Sequence, residues 1–429
     1  MNSGITWRHK AAERISDEIA WHLSNPDNLA YSKNSDPLAR ASLASGFPGI
    51  SLIYTARLHK GDKKDGATAH WYLKQAAESL KLRSRLLVGL HYDACGLGYA
   101  LSMAQAVGGG YVGALTQLDA EVTMGAEALC QQVESISLGP MARFDVLDGL
   151  AGIARYLLLR DPHGHVLERV LTCLSRMLTP ADYFGCKVPG FWSTTPPNWL
   201  PQMNSDVREN GHLNLGLAHG IAGPLAVLST AFLQKIAVPG QDVAIAGLVE
   251  ILHRFQGIDE YGIFWPNYVS LEEFTTPSMP RSRSRVSWCY GAPGVSRALQ
   301  LAGKALDRDD WLQTAQSSVS ALCAVPSDEW LADHWSFCHG LSGIMHILRY
   351  FIEGQEADQV SKLVDSIAER IIEVFSEGLP TGFEVGMMDL SPGKDPAGLL
   401  EGVAGLGLAL QSYAEQEDSI PWDTAFLMQ

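Results

Sequence analysis

Two short stretches of this 429-residue chain carry side chains that could do chemistry together, Trp288-Cys289-Tyr290-Gly291 and Phe337-Cys338-His339-Gly340. Each places a metal-ligating residue just before a glycine, and each glycine is followed three residues later by another. Two thiolates and an imidazole are donors that zinc prefers, and three protein ligands leave a fourth position open, as in a catalytic rather than a closed structural site. The expectation is one Zn2+ held by Cys289, Cys338 and His339. Taken singly, a cysteine beside a glycine is more often a buried structural residue, and the spacing here is not that of a local zinc finger. What shifts the weighing is that both cysteines occupy the same position of an internal repeat.

The repeat is a glycine, two residues, a second glycine and an apolar run, and such self-similarity governs the fold. It reads Gly46-Phe47-Pro48-Gly49, Gly149-Leu150-Ala151-Gly152, Gly220-Ile221-Ala222-Gly223, Gly291-Ala292-Pro293-Gly294, Gly340-Leu341-Ser342-Gly343 and Gly402-Val403-Ala404-Gly405. A degenerate copy has Cys95 in the first glycine position, then Gly96-Leu97-Gly98. The gaps between copies, 49 to 71 residues, suit a helical hairpin with a connecting loop. The runs behind the glycines are apolar on most faces, as buried helices are. Between them lie amphipathic candidates at Ala11–Leu23, Trp71–Leu87, Leu115–Val133, Val166–Leu178, Val243–Phe255, Trp311–Leu322 and Ala357–Phe375. About seven buried and seven amphipathic helices in alternation imply an all-α inner ring wrapped by an outer one, an α/α toroid in a single domain spanning residues 1–429. The glycines permit tight turns where the inner helices begin, and the helix N-termini would gather around a common bowl.

Two longer gaps hold non-helical material. Tyr183–Asn204 is rich in proline and aromatic residues, and Asp259–Arg285 contains a strand candidate over residues 261–266 and the basic run Arg281-Ser282-Arg283-Ser284-Arg285. Long loops inside a compact domain are more often functional than idle.

Residues flanking the first glycines line the expected bowl. Besides the three ligands these are His219, directly before Gly220, and Asp145, four before Gly149. His219 could equally be a hydrogen-bonded core histidine and Asp145 a cap of the helix it precedes. Arg285 and Tyr290 flank Cys289 and could serve packing alone. Cys95, His334 and His346 read as structural, and His212 as a weaker candidate than His219 for the same bowl.

The bulk numbers set bounds. A hydrophobic fraction of 46% with 18% charged residues is that of a globular protein with a large core. A net charge of −15 argues against nucleic acid, whose phosphates would be repelled. Seven scattered cysteines, an odd number, with no secretory signal at the N-terminus and no apolar stretch long enough to span a membrane, point to a reducing, cytoplasmic setting.

The stretches SRVSWCYGAPGVSRAL, SFCHGLSGI, NLGLAHGIAGP and FDVLDGLAGIARYLL, in this order, resemble the lanthionine synthetase C-like family of stand-alone lanthipeptide cyclases. The resemblance runs from Gly46 to Gly405, and the paired W-C-Y-G and C-H-G motifs are highly specific. It implies a toroid of seven inner and seven outer helices, with Cys289, Cys338 and His339 as zinc ligands and water or a substrate thiolate as the fourth. Asp145, His219, Arg285 and Tyr290 match the family's other active-site positions. A small SH2-like extension, known in the family, would have its counterpart in the β/loop-rich stretch 179–214. The implied reaction is Michael-type addition of precursor-peptide cysteines to dehydroalanine or dehydrobutyrine, forming lanthionine and methyllanthionine rings in lantibiotic biosynthesis. The implied partners are a dehydrated precursor peptide with its leader, a dehydratase and an export transporter, the last two allowing peripheral association with a membrane. Two other readings stand beside it: a zinc-bearing scaffold that binds peptides without catalysis, and an enzyme adding glutathione to dehydroamino acids. Cys95 in the place of a glycine departs from the pattern without touching the site.

Overall fold

Behind every repeat position the apolar run forms a helix. In the computed structural model, which describes residues 6–25, 37–82, 88–196, 205–332, 334–379, 381–383 and 396–429, these helices are Phe47–His59, Asp93–Gly108, Leu150–Arg160, Ala222–Leu233, Ala292–Leu306, Leu341–Leu348 and Val403–Glu415. They are buried almost all round: Ala222 to Ala231 are buried without interruption. A helix with no polar face is stable only inside a core. In five of the seven the first glycine is the N-cap residue, and no side chain caps the helix itself.

The amphipathic segments form Trp7–Leu23, Lys63–Leu80, Val112–Ser135, His165–Arg176, Gln241–Phe255, Asp309–Ala324 and Ala357–Glu373. His165–Arg176 buries Val166, Leu167, Val170, Leu171, Cys173 and Leu174, the i, i+3, i+4 stripe of a helix with one dry face. Lys63–Leu80 begins eight residues ahead of the expected Trp71. Its first two turns are polar and carry no apolar period, but Asp62 caps them by accepting the Lys64 N–H at 3.0 Å. Residues 83–87 of that expectation lie outside the described residues.

The described residues fall into two units, Met1–Glu121 with Ala332–Thr424, and Val122–Leu331 with Ala425–Gln429. In the first, Asp93–Gly108, Phe47–His59, Val403–Glu415 and Leu341–Leu348 stand side by side in that order. Lys63–Leu80 covers Phe47–His59, Trp7–Leu23 covers Val403–Glu415, and Ala357–Glu373 covers Leu341–Leu348. The last buried helix is thus covered by the first amphipathic one. In the second unit the row is Leu150–Arg160, Ala222–Leu233 and Ala292–Leu306, covered by His165–Arg176, Gln241–Phe255 and Asp309–Ala324.

Among the described residues the strands form three two-stranded antiparallel pairs, all in the second unit. Pro180–Tyr183 pairs with Cys186–Pro189 around the tip Phe184-Gly185. His212–Asn214 pairs with Tyr268–Ser270, and Gly257–Ile258 with Ile263–Phe264, inside the expected 261–266 strand. Residues 197–204 of the Tyr183–Asn204 loop lie outside the described residues. The C-terminal residues are buried. Phe426 accepts a hydrogen bond from the Trp288 indole at 3.0 Å, and Met428 accepts from the buried Arg297 guanidinium at 2.8 Å.

Candidate active site

Three of the loops leading into the buried helices share one construction, counted back from the first glycine. Four residues before it, a side-chain oxygen accepts the N–H of the residue just before the glycine: Ser42 Oγ from Ser45 at 3.2 Å, Asp145 Oδ1 from Asp148 at 2.8 Å, Ser287 Oγ from Tyr290 at 3.0 Å. These are Asx- and Ser-type turns, in which a short polar side chain replaces a backbone acceptor. Two to four residues before the first-glycine position, backbone groups tie neighbouring loops together within each unit. In the first unit the Cys338 N–H donates to Leu400 (2.8 Å), Leu400 to Ala44 (2.7 Å) and Ala44 to His91 (3.0 Å). In the second, Val146 donates to Ala218 (2.9 Å), while Leu217 and Ala218 both donate to Cys289 (3.0 and 3.4 Å).

The second glycine of each pair makes this belt possible. A Cβ at Gly294 would strike the Trp288 carbonyl and stand 2.9 Å from Leu217 Cβ; one at Gly223 would stand 2.7 Å from both the Leu217 carbonyl and Val146 Cγ2. Any side chain there would push neighbouring loops apart. Gly291 carries a further demand, its φ of +78°, which side chains disfavour. Its missing Cβ also leaves room for the Arg285 carbonyl.

This construction delivers the residues singled out above. Asp145 is 2% exposed at its side chain and has both oxygens engaged: Oδ1 accepts from the Asp148 and Gly149 N–H groups at 2.8 and 2.9 Å, and Oδ2 faces His219 Nδ1 at 2.7 Å. It is therefore both the loop cap and the partner of the histidine. The carboxylate only accepts, so Nδ1 carries the hydrogen and Nε2 is the proton-exchanging nitrogen. Burial opposes the imidazolium, but the hydrogen bond and charge of Asp145, with Cys289 and Asp148 adding, outweigh it and hold His219 above the ordinary histidine value.

Tyr290 is buried, its hydroxyl accepting from Asn214 Nδ2 at 3.1 Å. Cys289 is buried beside Ser287, whose Oγ lies 3.3 Å from its sulfur. Asn214 and Ser287 are functional neighbours that motif reading passed over. Asn214 also accepts the Gly216 N–H at 3.0 Å and packs beneath Tyr290. The signal for Ser287 is its repeat position, the one Asp145 holds in another copy. Arg285 is only partly buried; its backbone is fixed against Gly291, and among the described residues no contact of its guanidinium with the other candidates is seen.

His339 and Cys338 precede Gly340, and the His334 ring meets that of His339 edge-on, centroids 5.6 Å apart. Cys289, Cys338 and His339 form a group that could hold a metal ion, their ligand atoms all within 4.8 Å of one another. The two sulfurs and one imidazole nitrogen fit zinc and not a hard cation.

A second group of similar composition, His346, Asp418 and Asp423, does not fit a metal. Arg349 donates to His346 Nδ1 at 3.1 Å and to Asp418 at 3.3 Å, while His346 Nε2 meets Asp423 at 3.0 Å. The guanidinium supplies the positive charge. Burial works to raise the Asp423 carboxyl, but His346, then Tyr350 and Arg349, hold it below the usual range. His212 is buried in its strand with its ring edge-on to Tyr268, and desolvation pushes it down to about 4. Cys95 is buried and its thiol is pushed far up by desolvation, then by Asp93, which leaves it unreactive at neutral pH.

The chain is similar to known proteins over most of its length. The pattern of the lanthionine synthetase C-like proteins matches residues 37–427. The nisin biosynthesis protein NisC of Lactococcus lactis subsp. lactis is 24% identical over 407 residues, covering 92% of this chain and 91% of that one. The solved structure of a nisin cyclase superposes with a TM-score of 0.74 at 22% identity, covering 98% of this chain and 97% of that one. The fold is accordingly the all-α toroid that the glycine repeat implied. No described helix is long and apolar enough to cross a membrane. With its glycine-led corners, its cysteines and histidines at matching repeat positions and a match over most of its length, this chain belongs to the lanthionine synthetase C-like family.

Proposed function

We propose that this protein is a zinc-dependent lanthipeptide cyclase, closing thioether rings by adding precursor-peptide cysteine thiols to dehydroalanine or dehydrobutyrine. The observation that carries the reading is the Asp145–His219 pair, 2.7 Å apart and electrostatically coupled to Cys289, in a chain of this family. A metal site alone would serve a scaffold; an acid–base pair built beside one of its ligands serves a reaction. Cys289, Cys338 and His339 would hold the zinc. When bound, the metal lowers the pKa of a ligating thiol, so that the sulfur is nucleophilic at neutral pH.

The chain's own residues do the rest. Addition to the β-carbon leaves an enolate whose α-carbon needs a proton, and His219 donates it from Nε2 while Asp145 stabilises the imidazolium through Nδ1. Tyr290, held by Asn214, and Arg285 are the donors that would stabilise the enolate oxygen. Ser287 orients Cys289. The substrate is a dehydrated precursor with its leader, supplied by a dehydratase and passed to an exporter, in the cytoplasm.

The test is incubation of the protein with a peptide carrying one cysteine and one dehydroalanine, followed by thiol alkylation and mass spectrometry. Ring closure leaves no alkylatable thiol. A peptide that stays alkylatable favours the scaffold, and a glutathione adduct favours external-thiol addition. His219→Asn should keep zinc and lose most ring closure; unchanged closure removes His219 from the mechanism.

A further inference from the structure

The loop ahead of Gly220 departs from the construction built on Ser42, Asp145 and Ser287. Four residues before its glycine stands Gly216, which has no side chain to accept anything. Asn214, wholly buried at the end of the strand His212–Asn214, does the work instead. Its Oδ1 accepts the Gly216 N–H at 3.0 Å, and its carbonyl accepts the Ile221 N–H at 2.9 Å. The turn so closed is tight. A Cβ at Gly220 would stand 2.5 Å from Asn214 Oδ1 and 2.6 Å from the Asn214 carbonyl oxygen, so the corner that carries His219 packs directly on this asparagine. A Cβ at Gly216 would stand 2.5 Å from Tyr290 Cδ1, so the Tyr290 ring packs on the same turn.

These contacts leave the Asn214 amide one orientation. A backbone N–H can only donate, so the amide atom it meets is the oxygen and the other is the nitrogen. Nδ2 has two hydrogens and two acceptors within reach, the Met141 sulfur at 3.2 Å and the Tyr290 hydroxyl at 3.1 Å. Turning the amide over would set N–H against N–H in a buried turn and leave both donors unsatisfied. An amide nitrogen has no lone pair to offer, so in this bond Tyr290 accepts, and its one hydrogen is directed away from Asn214. Accepting a bond also polarises the hydroxyl and strengthens it as a donor.

We infer that Asn214 is a positioning residue that makes Tyr290 a hydrogen-bond donor, and so selects what this corner of the site binds: an acceptor such as a peptide carbonyl oxygen, and not a peptide N–H. Resting on the cyclase reading, that acceptor is the oxygen whose negative charge grows as the enolate forms. Asn214 touches no reacting atom, and the phenol keeps its proton throughout. An aspartate in its place would accept from Gly216 equally well, but its carboxylate would also take the Tyr290 hydrogen, reversing the bond with little change of shape.

The experiment has two arms on the full-length protein. The first observes side-chain amide signals of protein labelled with 15N-asparagine, the Asn214 signal being the one absent from Asn214→Asp. Tyr290→Phe removes the acceptor and should move the Asn214 amide hydrogens upfield; an unmoved signal overturns the inference. The second measures ring closure in the cysteine–dehydroalanine peptide at about pH 8, where an aspartate is ionised. Tyr290→Phe should slow closure about a hundredfold, and Asn214→Asp and Asn214→Ala each about tenfold, with zinc content unchanged. In the Tyr290→Phe background both Asn214 variants should lose most of that effect, because partners in one interaction are not additive. Asn214 variants that slow the two backgrounds alike, as a purely structural residue would, overturn the inference, and so do rates within about twofold of the parent. A parent protein that closes no ring instead refutes the cyclase reading, and the first arm still decides the direction of the Asn214–Tyr290 bond.

Discussion

Asp145→Asn isolates the charge of the Asp145–His219 pair from its shape. The asparagine oxygen can still accept the Asp148 and Gly149 N–H groups now held at 2.8 and 2.9 Å, so the loop and the helix start should survive. What changes is the 2.7 Å contact with His219 Nδ1. An amide N–H in place of a carboxylate oxygen reverses that bond, moves the ring hydrogen to Nε2 and removes the charge that supports the imidazolium. Hydrogen bonds to charged groups contribute about 1.5–3 kcal/mol, and Asp145 is 2% exposed against 20% for His219, so screening by water is slight. That energy corresponds to about a ten- to a hundredfold loss in ring-closure rate. The pH profile should move as well. His219 sits above its ordinary value because of Asp145, so the acid form persists to higher pH; without that charge it is lost earlier, and the alkaline limb should shift to lower pH. Rates on the cysteine–dehydroalanine peptide between pH 5.5 and 9 test both outcomes, with zinc content and circular dichroism as controls. A rate within twofold of the parent and an unmoved limb, in a folded zinc-bearing variant, would refute the assignment of His219 as proton donor.

Cys289→Ala should lose stoichiometric zinc by elemental analysis, and full retention would break the ligand assignment. His346→Leu should keep its zinc but leave Asp423, wholly buried, without its imidazole, costing about 3–5 kcal/mol of stability in denaturant unfolding. Gly294→Ala adds a Cβ against the Trp288 carbonyl and 2.9 Å from Leu217; about 1–3 kcal/mol of overpacking should lower the thermal midpoint and weaken zinc retention, because the displaced loop carries Cys289. Removing residues 425–429 takes away the acceptors of the Trp288 indole and the buried Arg297 guanidinium, and should yield insoluble protein on expression; a soluble variant of unchanged midpoint would contradict that role.

The glycine pairs and the apolar runs behind them were readable because they are local and repeated: a close backbone approach requires glycine wherever it recurs, and a fully buried helix has no polar face to hide. All seven buried helices could be placed that way. The amphipathic partners were placed less sharply, as the early start of Lys63–Leu80 shows, since polar first turns held by a cap carry no hydrophobic period. Asp145 illustrates the harder case. Its sequence position allowed either a cap or a partner for His219, and the two oxygens of one carboxylate do both.

The two motifs, Trp288-Cys289-Tyr290-Gly291 and Phe337-Cys338-His339-Gly340, determined by themselves the kind of metal this protein would take, because ligand type is a property of the side chains alone. The repeat determined that residues far apart in sequence occupy equivalent corners. Only the tertiary structure decided which neighbours support them. Asn214 under the Tyr290 hydroxyl and Asp145 against the His219 imidazole depend on hydrogen bonds between loops. So does the exclusion of the His346 group, where an arginine stands in the place of a cation. Contacts of this kind are set by the distance between separate segments, which side-chain spacing along a chain does not encode.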